Sequence, residues 1–354
     1  MRVVLVVAVW LAIAIPASAQ TPVIPMTVPE MWGAWCARCH GNDGRGKVSE
    51  PTVTVEPLDF TDCKIASAEP DADWEAAIAH GGPAVGLSSQ MPAFGDVLTT
   101  EQVQGFVRHL RAFCIEKGWP IGNLNLPRPI FTEKAFPEDE LVFLPVATHG
   151  KHRPWEYEMS VVYERRFGRR AQLEAVLPME SVYVSSLDHP ENGLGNIEIG
   201  LKYALTPHAT RYLLTAGFDV QFTTGAEGRL LDEYSPVYEP YLAAATMLGG
   251  TYLQGQFKIE LPSPDSFKTR ETIYNVYVGH DTSVFPNTWT LGLELTGENK
   301  ELWITPQLRK GLTRTGALGA AVGVRLPLNE REENGMAIVG YLLWEYREPV
   351  FSRR

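Results

Sequence analysis

The sequence predicts two unlike parts in one chain, a small all-α unit followed by an antiparallel transmembrane β-barrel of about 12 strands. Three observations carry this reading. Helix-start signals and helical spacing surround the run Cys36-Ala37-Arg38-Cys39-His40. Proline then punctuates residues 118–138 at Pro120, Pro127, Pro129 and Pro137. From residue 139 onward the helical patterns vanish, and apolar residues alternate with polar ones in stretches of about ten residues. The chain has 354 residues and a formal net charge of −11, so it offers no basic footprint for nucleic acid.

The N-terminus comes first. Met1-Arg2 is a short basic start, Val3 to Ile15 is apolar and uncharged, and Ala17-Ser18-Ala19 is a small-residue exit. That pattern predicts a secretory signal peptide over 1–19, with an apolar run too short to span a membrane. The mature chain is therefore expected outside the cytoplasm.

The helical unit follows. Thr27-Val28-Pro29-Glu30 has the form of a capping box with proline in the first turn, and a short helix should run from it into Cys36. Gly41 to Gly46 is rich in turn residues. Trp74 to Ala79 is a short helical stretch ending at His80-Gly81-Gly82, and Met91-Pro92-Ala93-Phe94-Gly95 reads as an irregular loop. Thr99 and Gln102 form a second capping box, after which Val103, Phe106, Val107 and Leu110 share one helix face.

C-x-x-C-H reads as a site of covalent haem attachment: both thiols add to one haem and the adjacent histidine falls under the iron. A redox dithiol, half a zinc site and two idle thiols are the competing readings of C-x-x-C alone. The order helix, C-x-x-C-H, helix, methionine loop, helix resembles a class I (monohaem) cytochrome c over residues 27–117. This resemblance implies one haem c held by Cys36 and Cys39, with His40 and Met91 as the axial ligands of the haem iron. Met26 and Met31 lie too close to the motif to reach the opposite haem face. Cys63 and Cys114 are left over: a disulfide and two separate buried thiols both remain open. His80 and His109 read as surface or supporting residues rather than iron ligands.

The proline-rich stretch 118–138 predicts an extended, semi-rigid linker. Beyond it, 139–354 is the expected barrel. Tyr157, Met159, Val161 and Tyr163 alternate with Glu156, Glu158, Ser160 and Glu164, and Leu291, Leu293 and Leu295 alternate with Thr290, Gly292, Glu294 and Thr296. Strands of about 9–11 residues suit a tilted membrane crossing. Trp155, Tyr183, Tyr212, Tyr241, Trp303, Trp344, Tyr346 and Phe351 are expected to form interfacial aromatic girdles. The inward set is mostly acidic, so the lumen should either attract cations or hold charges that pair with one another. Short connections at Gly168, Pro207-His208, Gly249-Gly250 and 311–315 belong on the periplasmic side, with longer loops outside. Parity then makes Leu141 to Val146 the first strand. His149 and His152 on the first outer loop are expected to be solvated, a metal landing site being the sharper alternative.

Domain order resembles the fused cytochrome–porins of iron-oxidising bacteria, although their extended signature before C-x-x-C-H is missing and this barrel is shorter. What this resemblance implies is an outer-membrane electron-transfer protein linking an extracellular or pore-entering donor, such as Fe²⁺, to periplasmic electron carriers. Iron(II) oxidation is the enzymatic activity that such a layout would allow. The alternative is a small-solute porin with a tethered periplasmic cytochrome. Either way, outer-membrane lipid is the expected surrounding of the barrel, and the cytochrome domain should sit at its periplasmic mouth.

Overall fold

The computed structural model describes residues 25–346 apart from 48–49, 51, 151–153, 185–188, 207–210, 226–234, 265–268, 283–287 and 330–334. The expected signal peptide, His152 and Phe351 lie outside the described residues.

The helical unit begins as its capping signals predict. At α1 (Val28–Met31) the Thr27 amide donates to Glu30 Oε2 at 2.7 Å. The chain then widens into a π-helical turn, Trp32–Cys36, and returns to α-helix in α2 (Ala37–His40). Such π segments are frequent at functional sites. α3 (Cys63–Ala66) and α4 (Asp71–His80) follow. The last helix, α5 (Thr100–Arg111), is capped reciprocally: the Thr99 amide donates to Gln102 Oε1 at 2.9 Å, and the Gln102 amide donates to Thr99 Oγ1 at 3.3 Å. Its apolar face, Val103, Phe106, Val107 and Leu110, packs on Met31, Trp32 and Trp74. Cys63 and Cys114 form a disulfide with a Cα–Cα distance of 5.0 Å, which ties α3 to the end of α5.

The barrel strands are β1 (Glu140–His149), β2 (Trp155–Phe167), β3 (Ala171–Val184), β4 (His189–Leu194), β5 (Glu198–Ala204), β6 (Tyr212–Gln221) and β7 (Val237–Leu248). They continue through β8 (Thr251–Pro262), β9 (Glu271–Asp281), β10 (Trp289–Glu298), β11 (Glu301–Gly311), β12 (Leu318–Pro327) and β13 (Met336–Glu345). All pairings are antiparallel, and β1 with β13 closes the ring. β4 and β5 both pair with β3, at opposite ends of it, so they are two pieces of one barrel strand. Counted so, the described residues form a closed barrel of 12 strands. Leu141 to Val146 lies within β1, where parity placed the first strand.

The barrel is inverted relative to a soluble protein. Tyr157, Leu201, Phe218, Leu242, Leu291 and Trp344 are exposed on the outside, while Glu164, Lys202, Asp219 and Glu294 are buried inside. An apolar belt of this extent is stable only against lipid. Trp155, Tyr212 and Trp344 are exposed at strand ends, as girdle residues should be. Two girdle expectations fail. Tyr241 and Trp303 are each 7% exposed and face inward. Tyr241 covers Gly217, where a Cβ would lie 2.0 Å from the tyrosine Cζ, and Trp303 carries the Arg325 guanidinium 4.2 Å above its ring.

These large inward side chains have something to pack against. The proline-rich segment does not run beside the barrel as a spacer; its central part enters the lumen and returns. Leu124, Leu126, Ala135 and Phe136 are buried against Ala204, Leu213, Ala243 and Ala245. Ile130 is buried against Val142, Val162, Val339 and Leu343. Arg128 Nη1 lies 2.9 Å from Glu164 and 3.3 Å from Glu140, and Lys134 Nζ lies 2.8 Å from Glu138 and 3.1 Å from Glu140. The Phe131 amide donates to Glu294 at 3.1 Å, with the Thr132 amide beside it. The expected acidic lumen is thus paired from within: Arg128 and Lys134 of this segment meet Glu140 and Glu164 of the wall, Lys258 meets Asp219 and Glu239, and Lys202 of the wall meets Glu133 of the segment.

Candidate haem site

Local geometry brings three of the expected site residues together at once. Cys36 and Cys39 are three residues apart at the π-to-α transition, a spacing that puts them on one helix face, and His40 ends the same helix. The fourth, Met91, comes from the irregular loop after α4. That loop is fastened to the end of α4: the Phe94 amide donates to the Ile78 carbonyl at 3.0 Å and the Gly95 amide to the Ala79 carbonyl at 2.9 Å. The Gly82 amide donates to the Met91 carbonyl at 3.0 Å. Gly81 takes φ +77°, and at Gly82 a Cβ would lie 2.1 Å from the Ser88 carbonyl oxygen, so this approach requires both glycines.

Cys36, Cys39, His40 and Met91 all line one cavity of about 630 Å³. That volume falls within the range of about 300–1,000 Å³ typical of cofactor and small-molecule sites. Trp35 and Phe94, stacked 6.3 Å apart, belong to its apolar wall.

The electrostatics separate the competing readings of the motif. Burial, with Cys39 adding to it, pushes the Cys36 thiol up to about 11. A redox dithiol requires the opposite shift. Burial brings His40 down to about 4, so its imidazole is neutral at pH 7, the form that ligates metal. Among the described residues, Cys36, Cys39 and His40 do not converge as a three-ligand metal cluster, which weighs against half a zinc site. Both thiols are free, whereas Cys63 and Cys114 have taken each other. His40 Nδ1, Trp32 Nε1 and His109 Nε2 are buried without a hydrogen-bond partner. The His109 ring packs 5.3 Å from Trp32, behind the cavity wall. Two free thiols, a neutral imidazole and a thioether around an aromatic-walled cavity fit haem c.

Sequence reasoning missed the far wall of this cavity. Pro137 and Asp139 of the returning lumen segment line it, as do Arg165 and Arg166 of β2 and Thr315 of the β11–β12 turn. The two units are also fastened directly. Arg166 Nη2 donates to Ser67 Oγ at 3.2 Å, Arg169 Nη1 to the Lys117 carbonyl at 2.6 Å, and Asn125 Nδ2 to the Ala68 carbonyl at 2.9 Å. The signal was present in the sequence as four arginines, Arg165, Arg166, Arg169 and Arg170, around the Gly168 turn. His149 is exposed and stacks on Trp155 with ring centres 4.9 Å apart, while its companion His152 lies outside the described residues.

With this geometry established, comparisons with known proteins place the two halves. Residues 25–110 match the family described as cytochrome C oxidase, cbb3-type, subunit III. A comparison with curated proteins finds no match. Among solved structures, the chain is similar to the COG4313 outer membrane channel from Pseudomonas putida F1, at 13% identity and a TM-score of 0.44, covering 62% of this chain and 99% of that one. It is also similar to KdgM porin in complex with disordered oligogalacturonate, at 10% identity and a TM-score of 0.43, covering 59% and 99%. Outer membrane phospholipase A from Escherichia coli gives 11% identity and a TM-score of 0.37, covering 60% and 99%. The helical unit is a cytochrome c domain, and haem c is its covalently attached cofactor. Fusion to a barrel is as expected; the likeness to iron oxidisers gains no support.

Proposed function

We propose that the protein is an outer-membrane electron-transfer protein whose single haem c exchanges electrons with periplasmic carriers at the short-turn end of the barrel. One observation carries this reading: the cavity lined by Cys36, Cys39, His40 and Met91 lies against that rim, next to Arg165 and Thr315. When bound, haem supplies one-electron chemistry. Cys36 and Cys39 would hold it covalently, His40 and Met91 would supply the iron ligands, and Trp35 and Phe94 would exclude water. A thioether ligand paired with histidine would raise the reduction potential.

The loops support this sidedness. The cytochrome domain contacts the β2–β3 and β11–β12 turns, whereas the long connections 222–236, 263–270 and 328–335 join strands at the other end. In bacterial barrels the short turns face the periplasm. A lumen filled by the chain's own segment weighs against a pore-entering donor such as Fe²⁺, and equally against the small-solute porin reading. A haem at one mouth is also separated from the outer surface by an apolar band about 25 Å tall.

The test is redox titration of the detergent-solubilised holoprotein followed by stopped-flow mixing with a small reduced c-type carrier. A single one-electron couple and second-order haem reduction that weakens with salt are expected. A haem that titrates but does not exchange electrons with the carrier overturns the proposal.

A further inference from the structure

We infer that residues 124–138 are a resident plug that closes the barrel lumen, so that the 12-strand barrel is a sealed seat rather than a channel. The inference stands on lumen contacts alone and is independent of whether the haem transfers electrons.

Barrel size sets the problem. Side chains alone about fill a barrel of 8 strands, and barrels of 16–18 leave an open aqueous channel. Twelve strands enclose space that inward side chains do not fill by themselves. In this chain the excess is occupied by a loop that enters and leaves on the cytochrome side. Its tip reaches Glu294, the sixth of ten residues along β10, so the loop extends to about mid-barrel.

The segment is built into the lumen rather than resting in it. It carries its own apolar anchors, Leu124, Leu126, Ile130 and Phe136, each 4% exposed or less. Its backbone is read by the wall all round: Thr215 Oγ1 donates to the Ala135 carbonyl at 2.6 Å, Gln254 Nε2 to the Pro127 carbonyl at 2.8 Å, and the Tyr341 hydroxyl to the Arg128 carbonyl at 2.8 Å. These partners sit on β6, β8 and β13, on different sides of the ring. Arg128 and Lys134 supply the cations that the buried wall carboxylates Glu140 and Glu164 require. Without the segment those carboxylates would need water in its place. A peptide that completes the apolar packing of the wall and exchanges ion pairs with it in both directions, its Glu133 taking Lys202, is part of the folded barrel.

Planar-bilayer conductance of the full-length holoprotein tests this. The parent should show lipid leak alone. Replacing residues 124–136 by a Gly-Ser segment of equal length should produce stepwise ohmic current, with insertion checked by heat-modifiable gel mobility. Where that variant does not insert, the double substitution Arg128→Met with Lys134→Met retains the apolar anchors and should flicker open. Steady ohmic current through the parent overturns the inference, as does unbroken silence of a variant shown to be folded and inserted.

Discussion

The two halves of this molecule treat interior space in opposite ways. The cytochrome domain gives its centre to a cofactor, with Cys36, Cys39, His40 and Met91 lining the cavity that suits it. The barrel closes its centre with its own chain, so that Arg128 and Phe136 occupy what would otherwise be a lumen. The difference teaches where each half keeps its function. Chemistry is concentrated at the cofactor, and the interior filled by the chain supplies position: Pro137 and Asp139, where the plug returns, are also a wall of the haem cavity.

This contrast can be broken from either side. The largest effect is expected at the haem cavity. His40→Ala should abolish the low-spin haem spectrum, and Cys36→Ala with Cys39→Ala should remove covalent haem, read as loss of haem-staining on a denaturing gel. At the filled interior, Arg128→Met takes the ion-pair partner from buried Glu164 while Glu140 keeps Lys134, which should cost about 3–5 kcal/mol. The midpoint of denaturant unfolding measures it, and adding Glu164→Gln should recover most of the loss. Phe136→Ala removes a fully buried ring and should cost about 3–5 kcal/mol by cavity formation, with the haem spectrum retained. Met91→Ala should lower the haem potential and remove the sulfur-to-iron absorption while leaving the barrel's unfolding unchanged; an unaltered spectrum would refute the axial assignment. Smallest of all, Thr99→Ala removes one helix cap and should cost about 1 kcal/mol within the cytochrome domain alone.

The same contrast explains what was legible in the sequence. Both capping boxes, the C-x-x-C-H motif and the Met91 loop are local signals, and the elements they predict are present. Strands such as β10 stand out because Leu291, Leu293 and Leu295 face lipid while Thr290, Glu294 and Thr296 face inward. β7 is harder to read. Apart from Glu239, its inward set is apolar, and Tyr241, Ala243 and Ala245 of that set pack on the plug, so hydrophobicity alternates weakly. The plug itself was hidden by its prolines, which signal an absence of helix and say nothing about burial. Its apolar content was the available clue: Leu124, Leu126, Ile130, Phe131 and Phe136 are too many for a solvated spacer. Arg128 and Lys134 gave no clue of their own, since their carboxylate partners come from β1 and β2 and from Glu138.

The central claim is that the haem is served from one side of a sealed barrel. Sided haem reduction in proteoliposomes tests it most directly, with a membrane-impermeant one-electron donor added outside and orientation fixed by protease access to the cytochrome domain. Vesicles that display the cytochrome domain outward should reduce their haem completely and at once. Those that display the long loops outward should reduce it no faster than donor leaks through lipid. Equal rates from the two orientations would contradict the account.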